Sequence, residues 1–211
     1  MSGAGRPDRA RIAVFAKAPV AGAVKTRLAA KLGDEGAAQL HARLARHALE
    51  TAIASGAGPV ELWCAPDAAH PFFAACAASL GVTLHAQRGA SLGERMHHAF
   101  EDAARAGAAL VVIGGDCPAL APRHLREAAH ALEENDAVFA PAEDGGYVLV
   151  GLARPQPALF AGIAWGESDV MERTRARLAA SGLAWKELDT LWDVDRPEDL
   201  ERLERHGWLG A

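Results

Sequence analysis

Short apolar runs rich in β-branched residues alternate along this chain with segments whose apolar positions recur every three or four residues. That alternation is the pattern of βαβ units built around a mainly parallel sheet. Residues 12–16, 60–64, 82–86, 110–113, 137–140, 147–152 and 184–188 read as strands. Between them, residues 36–54 carry Leu40, Leu44, Ala48 and Thr51 along one helical face, and residues 70–79 also look helical. Leu92, Met96, Phe100 and Ala103 mark one face of a further helix. Pro122 is well placed to open a helix to about Glu134, because the first helical turn needs no N–H from that position. Ser168 is the expected N-cap of a helix to Ser181, and residues 197–206 form the last helix. No repeat or linker interrupts the pattern, which predicts a flexible N-terminus over residues 1–10 and a single domain over 11–211.

Of the strands, the run Leu110-Val111-Val112-Ile113 is apolar throughout, as expected for a central strand buried on both faces, and it ends abruptly in Gly114-Gly115-Asp116-Cys117-Pro118. Ligands of open α/β sheets bind just beyond the carboxyl ends of such strands, so Asp116 stands where chemistry is expected. The glycines allow a sharp turn or close approach to a ligand, and an aspartate there also serves to stabilise a bend.

The chain has 211 residues, half of them hydrophobic, enough for a full core. A net charge of −5 and a pI near 6.0 provide no global field for nucleic acid, so an anionic ligand must be held by local cations. No apolar run is long enough to span a bilayer and Met1 to Asp8 is not signal-like, which together predict a cytoplasmic protein without a membrane partner. Cys64, Cys76 and Cys117 are odd in number and lack metal-ligand spacing; the first two suit packing, and the third lies beside Asp116 without a neighbouring histidine to activate it.

Three polar loops follow strands. The first, after residues 12–16, gathers Lys17, Lys25 and Arg27 around Gly22, an arrangement able to fold over a diphosphate or triphosphate. It matches neither the Walker A spacing nor GxGxxG, which disfavours a P-loop ATPase and a dinucleotide dehydrogenase. In the second, Ser91 caps the next helix with Glu94 completing a capping box, while Arg88 and Arg95 are free to meet a phosphate or ribose, solvent exposure being the simpler reading of Arg88. His97 and His98 read as surface or core-edge residues.

The third cluster pairs Glu143-Asp144-Gly145-Gly146-Tyr147 with Trp192-Asp193-Val194-Asp195 near the C-terminus. Magnesium takes one or two protein carboxylates together with ligand phosphates, and Asp116 with Asp193 or Asp195 meets that need. Asp195 also suits a capping box with Glu198, Asp144 suits a turn, and Tyr147 suits the core.

Taken together, Phe15 to Leu28, Leu92-Gly93-Glu94-Arg95-Met96, Gly114-Gly115-Asp116-Cys117-Pro118, Glu143 to Tyr147 and Trp192 to Leu200 resemble the glycosyltransferase-A-fold family called radical-SAM/selenodomain-associated transferase 1, or arsenosugar-biosynthesis glycosyltransferases. The resemblance covers nearly the whole chain. It implies a three-layer α/β sandwich with a mixed, mainly parallel sheet of nucleotide-diphospho-sugar transferase type. Asp116 would occupy the place of the acidic metal-binding motif, although Pro118 stands where a second acid would complete DxD. Lys25-Thr26-Arg27-Leu28 is also similar to the basic loop of 2-phospholactate guanylyltransferases, and Asp195 to Leu200 to the ending of several nucleotidyltransferases.

These likenesses imply a transferase using magnesium, or manganese, with a nucleotide or nucleotide-sugar donor and a small acceptor. Glycosyl transfer is the first reading, nucleotidyl transfer with pyrophosphate release the second, and a non-catalytic binding module the third. Lys25, Arg27, Asp116 and Asp144 are the expected catalytic residues, with Asp144 touching the acceptor hydroxyl or acting as base. Ala16, Lys17, Lys25, Arg27, Ser91, Leu92, Arg95, Gly114 and Gly115 would bind the nucleotide, and Asp116, Asp193 and Asp195 the metal.

Overall fold

The computed structural model describes residues 10–208. Its strands are β1 Ala10–Lys17, β2 Val60–Ala65, β3 Thr83–Ala86, β4 Ala109–Gly114, β5 Ala137–Pro141, β6 Tyr147–Leu152 and β7 Trp185–Glu187. They form one sheet in the order β3-β2-β1-β4-β6-β5-β7, with the run at residues 110–113 on the middle strand. β1 pairs parallel with both β2 and β4, while β6 runs antiparallel to β4 and β5. The sheet is therefore mixed and mainly parallel, as the resemblance implies. Its strand order reverses at β1, which opens a crevice beyond the carboxyl ends of β1 and β4.

Alternation along the strands feeds two cores. Ile12, Val14, Val111 and Ile113 face one side, where α1 Ala29–Ser55, α2 Pro71–Leu80 and α4 Pro122–Glu134 pack on them. Ala13, Leu110 and Val112 face the other, under α3 Leu92–Arg105 and α5 Val170–Ala180. A third cluster joins Leu28, Leu40 and Leu44 to Trp192, Val194, Leu200 and Leu203, which seats α6 Pro197–Arg205 against α1.

Several local expectations change. Ala10 already pairs with Ala109 in β1, so it does not belong to a flexible tail, and residues 1–9 lie outside the described residues. α1 begins before residue 36 because a helical turn precedes it, broken at Gly33 (φ 70°, ψ 167°). Leu92 is 43 % exposed rather than buried with Met96, Phe100 and Ala103, because at the first position of α3 it projects into the crevice. Ser91 Oγ accepts from Glu94 N as expected, but the Glu94 carboxylate reaches Ala90 N instead of closing the box on Ser91. Ser168 does not cap α5: that helix starts at Val170 behind Asp169, which makes no side-chain cap. Nor does Asp195 cap α6. Arg196 holds the N-cap position, and the Asp199 carboxylate accepts from both Asp195 N and Arg196 N, so the reciprocal bond comes from Asp199 and not Glu198. Arg88 pairs with Asp102 on the exposed side of α3.

Candidate active site

Three chain segments reach the carboxyl edge of the sheet and enclose a cavity of about 760 Å³, within the usual range of small-molecule sites. The first leaves β1. Lys17 is exposed where the strand ends, and the following loop carries Lys25 in a left-handed conformation (φ 48°) before a short 3-10 turn, Thr26–Leu28, whose Leu28 is fully buried. That anchor fixes the two flanking cations. Lys25 Nζ donates to Asp116 Oδ2 at 2.9 Å and to Val194 O, and Arg27 pairs with Asp195.

The second segment is the turn after β4. A Cβ on Gly115 would stand 3.3 Å from Ala45 Cα, so the absent side chain lets the turn press against α1. Asp116 O accepts from Val194 N at 2.9 Å, which ties this turn to the third segment. There the backbone is extended, with Leu191 bridged to Ala142. Two-residue alternation then buries Trp192 and Val194 against α1 and turns Asp193 and Asp195 toward the cavity. Thus Asp116 is both a structural turn residue and a cavity residue; the two roles use different atoms.

The electrostatics follow from this crowding. Burial alone would raise the Asp116 carboxyl, but the charge and hydrogen bond of Lys25 outweigh it and hold the group below its ordinary value. Asp193 is pushed up to about 7 by burial and by the charges of Asp116 and Asp144, against the opposing pull of Lys25. The Cys117 thiol is buried and pushed up to about 12, first by desolvation and then by Asp116, so it is a packing residue and no nucleophile at neutral pH. Among the described residues no group of three or more His, Cys, Asp or Glu is arranged to hold a metal ion on its own. Asp116 and Asp193 nevertheless offer hard oxygen donors whose mutual repulsion a cation would relieve, and two carboxylates suffice for magnesium shared with phosphates. The residues present fit that mode of binding.

Ala16, Lys17, Lys25, Arg27, Leu92, Arg95, Gly114, Gly115, Asp116, Asp144, Asp193 and Asp195 all line this one cavity. Ser91 does not; its hydroxyl is spent on capping α3. Asp144 is exposed and its Oδ1 accepts from Gly146 N, so the turn role read from the sequence is present alongside its place in the cavity.

Several lining residues were not singled out from the sequence. His41, on the α1 stripe beside Leu40, places Nε2 3.0 Å from Lys17 O, and burial lowers its pKa. Gln87 donates from its amide to Trp63 O at 2.7 Å, bridging the ends of β2 and β3. Trp165 and Glu167 come from the loop between β6 and α5. Tyr147, read as core, lines the cavity with its hydroxyl buried and unpartnered. Of these, His41 left a trace in the sequence as a histidine on an apolar stripe, while the places of Trp165 and Glu167 depend on where the loop after β6 folds.

The fold recurs in solved structures. A protein from Desulfovibrio desulfuricans G20, provisionally named a nucleotide-diphospho-sugar transferase, is 33% identical with a TM-score of 0.85, covering 96% of this chain and 89% of that one. A nucleotidyl transferase from Methanothermobacter superposes with a TM-score of 0.64 at 14% identity over 94% of this chain and 97% of that one, a likeness of fold alone. The phosphoenolpyruvate guanylyltransferase of Sphaerobacter thermophilus is 28% identical over 191 residues, or 89% of each chain. No helix among the described residues is long and apolar enough to cross a membrane. A family model described as uncharacterized protein conserved in bacteria (DUF2064) matches residues 48–167, from the middle of α1 through the Asp116 turn to the loop bearing Trp165, and the chain belongs to that family.

Proposed function

We propose that this protein is a nucleotide-dependent transferase that moves a glycosyl group from a nucleoside diphosphate sugar to a small acceptor. The observation that carries the reading is the convergence of the Lys25–Arg27 turn with Asp116 and Asp193 on one cavity at the switch point of the sheet. Lys17, Lys25 and Arg27 would offset charge on the leaving diphosphate. Asp116 and Asp193 would hold magnesium, with manganese a substitute and Asp195 nearby on Arg27; bound there, the ion would supply Lewis-acid neutralisation of the phosphates. In such a transfer the anomeric C–O bond to the diphosphate breaks, an acceptor oxygen forms the new bond, and Asp144 stands where that hydroxyl's proton could be taken.

The 33% identity with a protein provisionally named for nucleotide-diphospho-sugar transfer supports this reading, as does the resemblance of the loop motifs to those of the radical-SAM-associated transferases. A second reading, nucleotidyl transfer from a nucleoside triphosphate, is favoured by the concentration of cations at one end of the cavity and by the relative named for guanylyl transfer. A thermal-shift panel of nucleoside triphosphates and nucleotide sugars, with and without magnesium, separates the readings. Glycosyl transfer predicts stabilisation by a nucleotide sugar and release of a nucleoside diphosphate; nucleotidyl transfer predicts stabilisation by a triphosphate and release of pyrophosphate. Nucleotide binding with neither product identifies a binding module, and no stabilisation by any nucleotide with magnesium overturns the site.

A further inference from the structure

The cations of the cavity are unevenly placed. Lys17, Lys25 and Arg27 stand beyond β1, where Lys25 pairs with Asp116 and Arg27 with Asp195, and Arg95 is held toward the turn after β3 by its Nε donating to Gly89 O at 3.0 Å. On the other side, beyond β6, the lining residues are Asp144, Glu167, Tyr147, Trp165, Met96 and Val170, without a lysine, arginine or histidine among them. The charge of Arg177 reaches Tyr147, but its guanidinium is engaged by Ala158 O and Leu159 O and does not line the cavity. Like-charged and aromatic walls without a lining cation are a poor place for a phosphate or carboxylate, which would lose its hydration and meet two carboxylates.

The aromatic wall is built rather than incidental. The rings of Tyr147 and Trp165 meet edge to face at 6.1 Å and 88°, and Phe160 lies 6.4 Å behind the indole. A Cβ on Gly93 would fall 3.0 Å from Trp165 Cζ2, so α3 leaves room for the indole by carrying a glycine there. A Cβ on Gly145 would fall 1.9 Å from Ser168 O, so the loop bearing Trp165 and Glu167 closes onto the Asp144 turn only because residue 145 is glycine. Beside this wall the Tyr147 hydroxyl is buried with no hydrogen-bond partner, and burial raises its pKa so that it keeps its proton.

We infer that the β6 end of the cavity takes an uncharged, hydroxyl-bearing group, such as a sugar ring or polyol, and discriminates against phosphate- and carboxylate-bearing acceptors. An apolar C–H face of such a group packs on Trp165, while its hydroxyls donate to Asp144 and Glu167, which as carboxylates only accept. This inference rests on the proposed donor binding at the cationic end, and it assigns the acceptor end a chemistry opposite to that of an anionic acceptor.

The test is saturation-transfer NMR on the full chain with magnesium and with the cationic end filled by GDP or UDP, in parallel. Methyl β-D-glucopyranoside should bind at least tenfold more tightly than phosphoenolpyruvate. Trp165→Ala should weaken the glucoside at least fivefold, and Glu167→Lys, at an exposed position, should strengthen phosphoenolpyruvate at least threefold. Repeating the titration with GDP-mannose or UDP-glucose distinguishes the sources: retained glucoside binding assigns the subsite to the acceptor, as inferred, whereas displacement assigns it to the donor's glycosyl group and overturns the discrimination between acceptors. Phosphoenolpyruvate binding as tightly as the glucoside, or insensitive to Glu167→Lys, overturns the inference, as does a folded Trp165→Ala with unchanged glucoside affinity. A thermal shift by the nucleotide in the same samples keeps the two proposals separate, because nucleotide binding without glucoside binding refutes only this one.

Discussion

Removing the Lys25 side chain probes the centre of the site. The Lys25 side chain is 7 % exposed and its ammonium bonds the carboxylate of Asp116, a side chain 37 % exposed, at 2.9 Å, while a second bond reaches Val194 O. In Lys25→Ala, Asp116, Asp193 and Asp144 face one another without that cation. Breaking a fully buried pair costs about 3–5 kcal/mol, and an exposed pair contributes about 0–1. Because solvent reaches more than a third of Asp116, the loss belongs near the lower figure, raised by the carbonyl left without its donor; about 2 kcal/mol is expected. For a domain of this size that lowers Tm by about 4–8 °C. The backbone adds an internal control, since Lys25 has φ 48° and Lys25→Gly relieves a left-handed strain of about 1 kcal/mol that Lys25→Ala retains. Urea unfolding in magnesium-free, low-salt buffer should therefore rank native above Lys25→Gly above Lys25→Ala, with Asp116→Asn recovering part of the loss in the alanine background. A Lys25→Ala protein within about 0.5 kcal/mol of native, or no recovery by Asp116→Asn, would refute the charge argument.

Further outcomes are expected elsewhere in the fold. His124 is buried in the first turn of α4 and its Nδ1 accepts from Ala121 N at 2.9 Å; desolvation and then Arg123 lower its pKa, against the opposing charges of Asp189 and Glu127. The unfolded state then binds the proton more tightly, so this contribution is present above the ordinary value of 6.5 and is lost as pH falls below it. Between pH 7.5 and 5.5, His124→Gln should lose less stability than native by up to about 1 kcal/mol in urea titrations; parallel pH profiles would show the histidine is uninvolved. All three cysteines are buried with raised pKa, so Ellman's reagent at pH 8 should label none in the native protein and all three in urea. Gly145→Ala, with φ +92° and Ser168 O in the way, should cost about 2–4 kcal/mol and open residues 161–169 to limited proteolysis; an unchanged cleavage pattern would mean that the turn tolerates a side chain.

The strand pattern is readable because the five inner strands bury residue types the sequence displays, whereas the edge strands β3 and β7 bury none of their residues. Val111 and Ile113 face one core while Leu110 and Val112 face the other, so the run betrayed a central strand without reference to any partner. Pro122–Glu134 and Tyr147–Leu152 were found to the residue for the same local reason, a proline at N1 and a Gly-Gly bend. Caps are set by more than local chemistry. Asp195 and Ser168 have cap chemistry, yet tertiary contacts decide which residue takes the position: Arg27 draws Asp195 away, and Ser168 O is pinned by the approach of Gly145.

The site itself shows where one-dimensional reading stops. Segments bearing Lys25, Asp116 and Asp193 could be placed at strand ends from pattern alone, because strand ends of a parallel sheet share one edge. Which cation meets which acid could not, since Lys25 and Asp116 are separated by 91 residues and Lys25 and Val194 by 169. Pro118 leaves Asp116 without a second acid on its own turn, and the carboxylate of Asp193 comes into the same cavity from the far end of the chain, on an extended segment hydrogen-bonded to Asp116 O. The Lys25 ammonium bonds both segments at once, donating to Asp116 Oδ2 and to Val194 O, so the turn after β4 and the C-terminal segment are held around one cation. Its charge acts on both acids, holding Asp116 below its ordinary value and opposing the rise of Asp193, so the pairing with Lys25, rather than any one acid, sets the electrostatic character of the site.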